Sequence, residues 1–293
     1  MLKGRLGLES ARVPQTDRHG VMWLGYGRIY VDDGTLRFKT AGWDDLPAGD
    51  YAIPFQLLTC IVLQPGTSLT HDVLRLCVAH GTGIVAAGTN GVRFFAVAPL
   101  HPDSATRARR HATLWADPER RIAVARRMYA WRLGEVFPRA DIAVLRGMEG
   151  SRMKATYERL AQLYGVEWRG RRYDREHPEL TDSVNMAINH ASTAIGAAAS
   201  VAVAITGTIP QLGFVHEDSG DAFALDIADL FRDSVALPVA FNGVRDAQRK
   251  PASELERTVR RIAGGTLRRE DVIGKMIDRI KELFDGDDRG GDA

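Results

Sequence analysis

The sequence predicts an α+β protein: a small N-terminal β-rich domain at 1–98, a larger all-α C-terminal domain at 99–284, and a disordered acidic tail at 285–293. Three observations carry that prediction. Apolar residues come in short, β-favouring runs as far as about residue 98. Beyond it their spacing changes to the helical period. Between the two lies Ala98-Pro99-Leu100-His101-Pro102-Asp103-Ser104, a proline-rich segment with the residues of a hinge and a helix start.

The elements follow in order. Val21–Leu24 and Gly27–Val31 are strands; Asp32-Asp33-Gly34 is a turn, and Thr35–Phe38 pairs back as a hairpin. Further strands are expected at Tyr51–Ile53, Cys60–Leu63, Gly83–Ala87 and Val92–Ala96. Thr70 to His80 is a helix, with Val73, Leu76 and Cys77 spaced for one face. The second half is read as helices at about 104–115, 118–134, 140–164, 181–206, 222–233, 236–248, 252–263 and 269–284. The tail is too polar and glycine-rich to pack.

Composition excludes several classes. No apolar run reaches the roughly 20 residues that span a bilayer, and Thr193–Ile209, the nearest approach, is made mainly of Ala, Gly and Val, which suit a closely packed core helix. The N-terminus lacks the apolar core of a signal peptide, so a cytoplasmic protein with no membrane contact is expected. Cys60 and Cys77 have neither zinc-ribbon spacing nor paired histidines and are read as small core residues. The glycines from Gly81 to Gly88 do not fit a nucleotide-binding loop, and neither Ser151 nor Ser219 has the surroundings of a hydrolase nucleophile.

Net charge is only +2, but it is unevenly spread. Between Arg107 and Arg175 stand 17 Lys or Arg against 8 Asp or Glu, and all but one of those bases are arginine, which pairs with phosphate bidentately. Solvated helix faces account for such a composition equally well.

Two placements of acid are harder to explain. In the helix at 140–164 an apolar stripe runs through Ile142, Leu145, Met153, Leu160 and Leu163, and Glu149 falls within it. An inward carboxylate must be compensated, either by an arginine from a neighbouring helix or by a metal ion. Asp226 and Asp229, at i and i+3, share a helix face between Phe223 and Leu230; such a pair is favourable mainly with a cation between its members, although acids early in a helix also complement its dipole. Just upstream, an apolar approach ends in His216. One histidine with two or three carboxylates is a set that Mg²⁺ or Mn²⁺ uses in phosphoryl chemistry.

Gly147-Met148-Glu149-Gly150-Ser151-Arg152, with Ala155-Thr156-Tyr157, resembles the glutamate motif of the CRISPR-associated adaptation integrases. Gly213-Phe214-Val215-His216 resembles their histidine motif, and Leu225-Asp226-Ile227-Ala228-Asp229-Leu230 their aspartate motif. Leu63-Gln64-Pro65-Gly66-Thr67, Gly91-Val92-Arg93 and Tyr164-Gly165-Val166, followed by Trp168 and Gly170-Arg171-Arg172-Tyr173-Asp174, are similar to further family segments. The likeness is to the subtype that works beside a Cascade complex (type I-E), and it runs from about Gly20 to Lys250.

The resemblance implies an enzyme that inserts short foreign DNA into a CRISPR array, acting as a homodimer together with a small second CRISPR-associated adaptation protein on double-stranded DNA. It implies Glu149, His216 and Asp229 as ligands of Mg²⁺ or Mn²⁺, with Asp226 a further catalytic carboxylate. The incoming 3′-hydroxyl would attack a repeat phosphodiester directly, with Arg152 and neighbouring bases stabilising the phosphate. Arg75 and Arg93 at family-matching positions, and Arg171 and Arg172, are the expected DNA contacts; Tyr26, between two glycines, would stack on a terminal base. Surface solubility for Arg75 and Arg93, and a half-buried strand position for Tyr26, are the structural alternatives. Ser68 and Ile195-Gly196-Ala197 depart from the family pattern, where relatives often carry a basic residue and a tyrosine. A stand-alone nuclease on branched DNA and a non-catalytic DNA-binding scaffold remain competing readings.

Overall fold

Strands precede a body of helices, as the sequence predicts, and among the described residues the strands form two four-stranded sheets. The computed structural model describes residues 17–89, 94–97 (backbone), 105–171, 181–249 and 254–285. The expected hinge at 98–104, Arg93, Arg172 and the tail beyond Asp285 lie outside the described residues.

One sheet has the order β1 (Val21–Leu24), β5 (Cys60–Leu63), β7 (Gly83–Ala87), β8 (Phe94–Val97). The first three strands are parallel and β8 is antiparallel to β7. The other sheet has the order β4 (Gly49–Ile53), β3 (Thr35–Thr40), β2 (Gly27–Asp32), β6 (Thr67–Leu69). The β2–β3 hairpin turns through Asp33 and Gly34, both at positive φ (46° and 75°), the geometry that Asp-Gly favours between two strands. Thr67–Leu69, which follows a Pro-Gly turn and has no apolar alternation, is a strand that sequence reading did not predict; it is short and pairs in parallel with Gly27–Ile29.

Cys60-Ile61-Val62-Leu63 is buried throughout because both faces of its sheet are covered. Ile61 and Leu63 face the second sheet and α1 (His71–His80), where they meet Leu36, Phe38, Val73 and Cys77. Cys60, Val62, Val85 and Ala87 face the other way and join the core of the helical half. The strands thus share a core with the helices instead of standing apart from them.

The helices are α2 (Thr106–Ala116), α3 (Pro118–Leu133), α4 (Ile142–Tyr164), α5 (Ser183–Thr206), α6 (Ala222–Leu230), α7 (Leu237–Arg249), α8 (Leu255–Arg269) and α9 (Val272–Asp285). Helix α5 is the axis, packed by α6, α7, α8 and α9. Its Ala187, Ala191, Ala194, Ala198, Ala199 and Ala202 are buried, and such small side chains let neighbouring helices approach closely. By length and composition α5 would cross a membrane, yet its apolar surface is occupied by those helices. The sequence reading assigned Leu163 to the α4 core stripe; it is exposed, and Tyr157 and Ala161 take the inward positions because the stripe follows 3.6 residues per turn. The helix expected to run through 222–233 ends at Leu230 and passes through one turn of π-helix, Arg232–Ala236, into α7. Asp285, expected to begin the tail, closes α9 and is paired with Arg107 at 2.7 Å.

Candidate active site

Helix α3 starts at Asp117, whose carboxylate caps the amides of Glu119 and Arg120, and it carries Tyr129 and Arg132 inward. Helix α4 is capped by Asp141 on the amide of Val144 and presents Glu149 to α3, between the buried Leu145 and Met153. The compensation that Glu149 requires is an arginine from the neighbouring helix: Arg132 Nη1 lies 2.8 Å from Glu149 Oε1. Tyr129 donates its hydroxyl to Glu149 Oε2 at 3.1 Å, and burial beside that carboxylate pushes the phenol well above its usual range.

The loop between α5 and α6 delivers His216. Asp226, almost fully buried, holds it there: its Oδ2 accepts from the amides of Phe214 (2.6 Å) and Val215 (3.0 Å), and its Oδ1 from the amide of His216 (2.9 Å). The same Oδ1 lies 2.7 Å from His216 Nδ1, which leaves Nε2 on the side of Asp229, 3.8 Å from Asp229 Oδ2. The group that stands between the i, i+3 aspartates is therefore, in this structure, the imidazole; its hydrogen bond to Asp226 raises the His216 pKa, against the opposing effect of burial. Side chains on α2, α3 and α4 brace the loop from outside. Trp115 Nε1 donates to Gly213 O at 2.9 Å, Arg146 to Val215 O at 2.6 Å, and His111 Nε2 lies 2.6 Å from Leu212 O. A Cβ on Gly213 would overlap the carbonyl oxygen of His216, so only glycine permits this tight approach.

Glu149, Arg132, Asp229 and His216 form one chain of charge. Arg132 Nη1, already on Glu149, is 3.6 Å from Asp229 Oδ2, and Arg232 Nη1 is 3.7 Å from Asp229 Oδ1. A recess lined by Met128, Tyr129, Arg132, Val215, His216, Asp226, Asp229 and Leu230 opens at this point. Among the described residues no three His, Cys, Asp or Glu side chains close around a single point as metal ligands would, since the Arg132 guanidinium stands between Glu149 and Asp229.

The structure brings Glu149, His216, Asp226 and Asp229 together, and of the expected DNA contacts it describes Arg152, Arg171, Arg75 and Tyr26, all of which lie elsewhere. Arg152 is turned away, donating to Leu133 O and Glu135. Arg171 bonds Asn185 and Asn189 of α5, each at 2.8 Å. Arg75 is exposed on α1 beside Asp72. Tyr26 is not half-buried: it is 61% exposed, at positive φ in the turn between β1 and β2, with its ring against Gly66. Sequence reasoning missed Arg132 and Asp233. Arg132 sits one turn beyond Met128 on the buried side of α3, and a basic residue in that stripe, matching the acid in the α4 stripe, was the available signal.

The architecture is shared with the crystal structure of a TtCas1–DNA complex, at TM-score 0.79 and 29% identity, over 94% of this chain and all of that one. The family model for CRISPR associated protein Cas1 matches residues 22–137 and 132–270. CRISPR-associated endonuclease Cas1 of Escherichia coli is 35% identical over 93% of this chain and 87% of its own length, and CRISPR-associated endonuclease Cas1 2 of Chlorobaculum tepidum is 32% identical over 93% and 90%. The chain belongs to the Cas1 family.

Proposed function

We propose that this chain is a metal-dependent DNA endonuclease and integrase that inserts short foreign DNA into a CRISPR array through attack of a 3′-hydroxyl on a repeat phosphodiester. The observation that carries the proposal is the cluster in which Glu149, His216 and Asp229, from three separate elements, are joined through Arg132, with Arg232 beside Asp229. The naming of its relatives as endonucleases and the DNA bound in a similar solved structure support it.

The donor set suits Mg²⁺ or Mn²⁺ in kind: two carboxylates and an imidazole nitrogen, in a cluster already compensated by arginine. Glu149, His216 and Asp229 would hold the ion, which when bound lowers the pKa of the attacking hydroxyl and neutralises charge on the phosphate. Asp226 is the positioning residue. With Oδ1 accepting from Nδ1–H, it sets the tautomer whose Nε2 carries a lone pair toward Asp229. Arg232 and Arg146, both beside the cluster, supply positive charge for a phosphate entering the recess. Nothing in the reaction requires a covalent enzyme intermediate, so hydrolysis and strand transfer differ only in which hydroxyl attacks. A cytoplasmic homodimer, a small second adaptation protein as partner, a domain boundary near residue 98, and DNA contacts through Tyr26, Arg75, Arg93, Arg152, Arg171 and Arg172 belong to the same proposal.

The Arg132–Glu149 pair favours one other reading, a non-catalytic scaffold whose acidic cluster is structural. Strand transfer in vitro separates them. A labelled short duplex is incubated with a supercoiled plasmid carrying a repeat, with Mn²⁺ or Mg²⁺ and with or without the partner, using wild type, Glu149→Ala and His216→Ala, each checked to be folded. Joined product that needs metal and both residues is expected. Cutting without joining, even with partner present, would make the chain a stand-alone nuclease. Binding without either reaction would leave the scaffold.

A further inference from the structure

The guanidinium of Arg132 lies where the charge of the proposed metal ion would fall. Its side chain is only 5% exposed, and one nitrogen, Nη1, addresses both Glu149 Oε1 (2.8 Å) and Asp229 Oδ2 (3.6 Å). These are two of the three groups assigned above to the ion. A third carboxylate, Asp233, stands on the π-helical turn beyond Asp229, with Oδ1 at 3.9 Å from Nη2 of the same arginine. That distance is an ion pair but not a hydrogen bond.

Two buried atoms are left unmatched by this arrangement. Arg132 Nε has no hydrogen-bond partner, and neither has Asp233 Oδ1. Buried donors and acceptors are almost always paired, so an unpaired donor on this guanidinium and an unpaired acceptor on the carboxylate that Nη2 faces at 3.9 Å are an unusual state. Burial also raises the Asp233 pKa, as expected of a carboxylate with incomplete compensation. A small shift of the guanidinium toward Asp233 would turn the loose pair into a hydrogen-bonded one. The same shift would take Nη1 out from between Glu149 and Asp229.

We propose that Arg132 is a two-position counter-cation that governs metal loading: it bridges Glu149 and Asp229 in the metal-free chain and withdraws onto Asp233 when a divalent ion binds. The inference rests on the metal-site reading of Glu149, His216 and Asp229. Arg132 acts here as a positioning residue. It compensates Glu149 and Asp229 and, more loosely, Asp233, and it makes ion binding an exchange of one cation for another. The affinity for metal is therefore set partly by how well Asp233 receives the displaced guanidinium.

The test is Mn²⁺ binding to the full-length chain without DNA, read as loss of the free-ion signal in electron paramagnetic resonance, so that catalysis is not involved. Arg132→Gln is expected to bind Mn²⁺ about ten-fold more tightly than wild type, because the competing cation is gone. Asp233→Asn is expected to bind it several-fold more weakly, because the receiving position is gone. In the double variant Asp233→Asn should have little further effect, since Asp233 acts through Arg132. Simple through-space attraction by Asp233 would instead weaken binding equally in both backgrounds and would overturn the proposal. Equal or weaker Mn²⁺ binding by Arg132→Gln, with binding still abolished by Glu149→Ala, would overturn it while leaving the metal site standing. Binding that is absent from every variant, or indifferent to Glu149→Ala, would remove the metal-site reading itself. Arg132→Met, which keeps the buried methylene packing, replaces the glutamine variant if that one does not fold.

Discussion

Asp226→Asn changes almost nothing in shape, yet the structure predicts a large effect. The residue is 2% exposed and its two side-chain oxygens serve four donors: the amides of Phe214 and Val215 on Oδ2, and the amide and Nδ1 of His216 on Oδ1. An asparagine has one oxygen. Whichever way it turns, its NH₂ faces two donors. Keeping the oxygen on Phe214 and Val215 orphans the His216 amide and forces the imidazole to accept at Nδ1, so that the proton moves to Nε2. An orphaned buried donor costs about 1–3 kcal/mol, and a hydrogen bond to a charged group contributes about 1.5–3 kcal/mol. Because His216 is partly solvent-exposed, the lower part of each range applies, giving a loss of about 3 kcal/mol. At about 2 °C per kcal/mol for a chain of this size, Tm should fall by about 6 °C. The assay is thermal unfolding combined with ¹⁵N imidazole NMR above the raised pKa of His216, where the ring is neutral. Wild type should show the Nδ1-protonated tautomer and the variant the Nε2-protonated one, with Mn²⁺ binding lost accordingly. A Tm within about 1 °C of wild type together with an unchanged tautomer would refute the assignment of Asp226 as the residue that orients His216.

Three further outcomes follow from the same geometry. Gly213→Ala places a Cβ against the carbonyl oxygen of His216 and the side chain of Ala222, so it should shift His216 and lower strand transfer more than ten-fold at the assay temperature without removing a functional group; unimpaired transfer would show that the loop yields freely. His111 is enclosed by Phe214, Phe223 and Phe284, and burial pushes its pKa down to about 4. Above the ordinary histidine value the ring is neutral in both folded and unfolded chains; as pH falls toward about 4 only the unfolded chain takes up the proton, so stability drops by about 1.4 kcal/mol per pH unit in that window. Urea unfolding across the window should show this slope in wild type and a shallower one in His111→Gln, and equal slopes would contradict it. Arg171→Ala removes the bonds to Asn185 and Asn189 and should cost about 1 kcal/mol of stability, measured by the same unfolding, and should weaken DNA binding as well; lost stability with unchanged DNA binding would leave Arg171 a structural residue only.

Much of the site was legible in the chain because helical periodicity is local. Glu149 four residues from Leu145 and four from Met153 had to face inward, whatever the rest of the molecule did, and an inward carboxylate had to find a positive partner. Asp226 and Asp229 were bound to share a face for the same reason. The two-sided burial of Cys60–Leu63 was foreshadowed by its unbroken apolar run, and the switch of period near residue 98 divided strands from helices.

Only the tertiary structure decided which partners those charges have. That Arg132 of α3 meets Glu149 of α4, and that His216 sits between two aspartates while three amides close on Asp226, depends on how separate helices and the loop between them cross, which no spacing rule encodes. The π-helical turn that sets Asp233 beside Arg132 was invisible for a related reason, since a single extra residue in a turn leaves the apolar pattern almost unaltered. Arg152 and Arg171 show the opposite case. The family resemblance implies phosphate contacts for both, but which protein acceptors a long flexible cation meets is set by the fold, and here those acceptors are Leu133, Glu135 and two asparagines of α5. Local periodicity specifies which way a side chain faces; the packing of distant elements specifies what it meets.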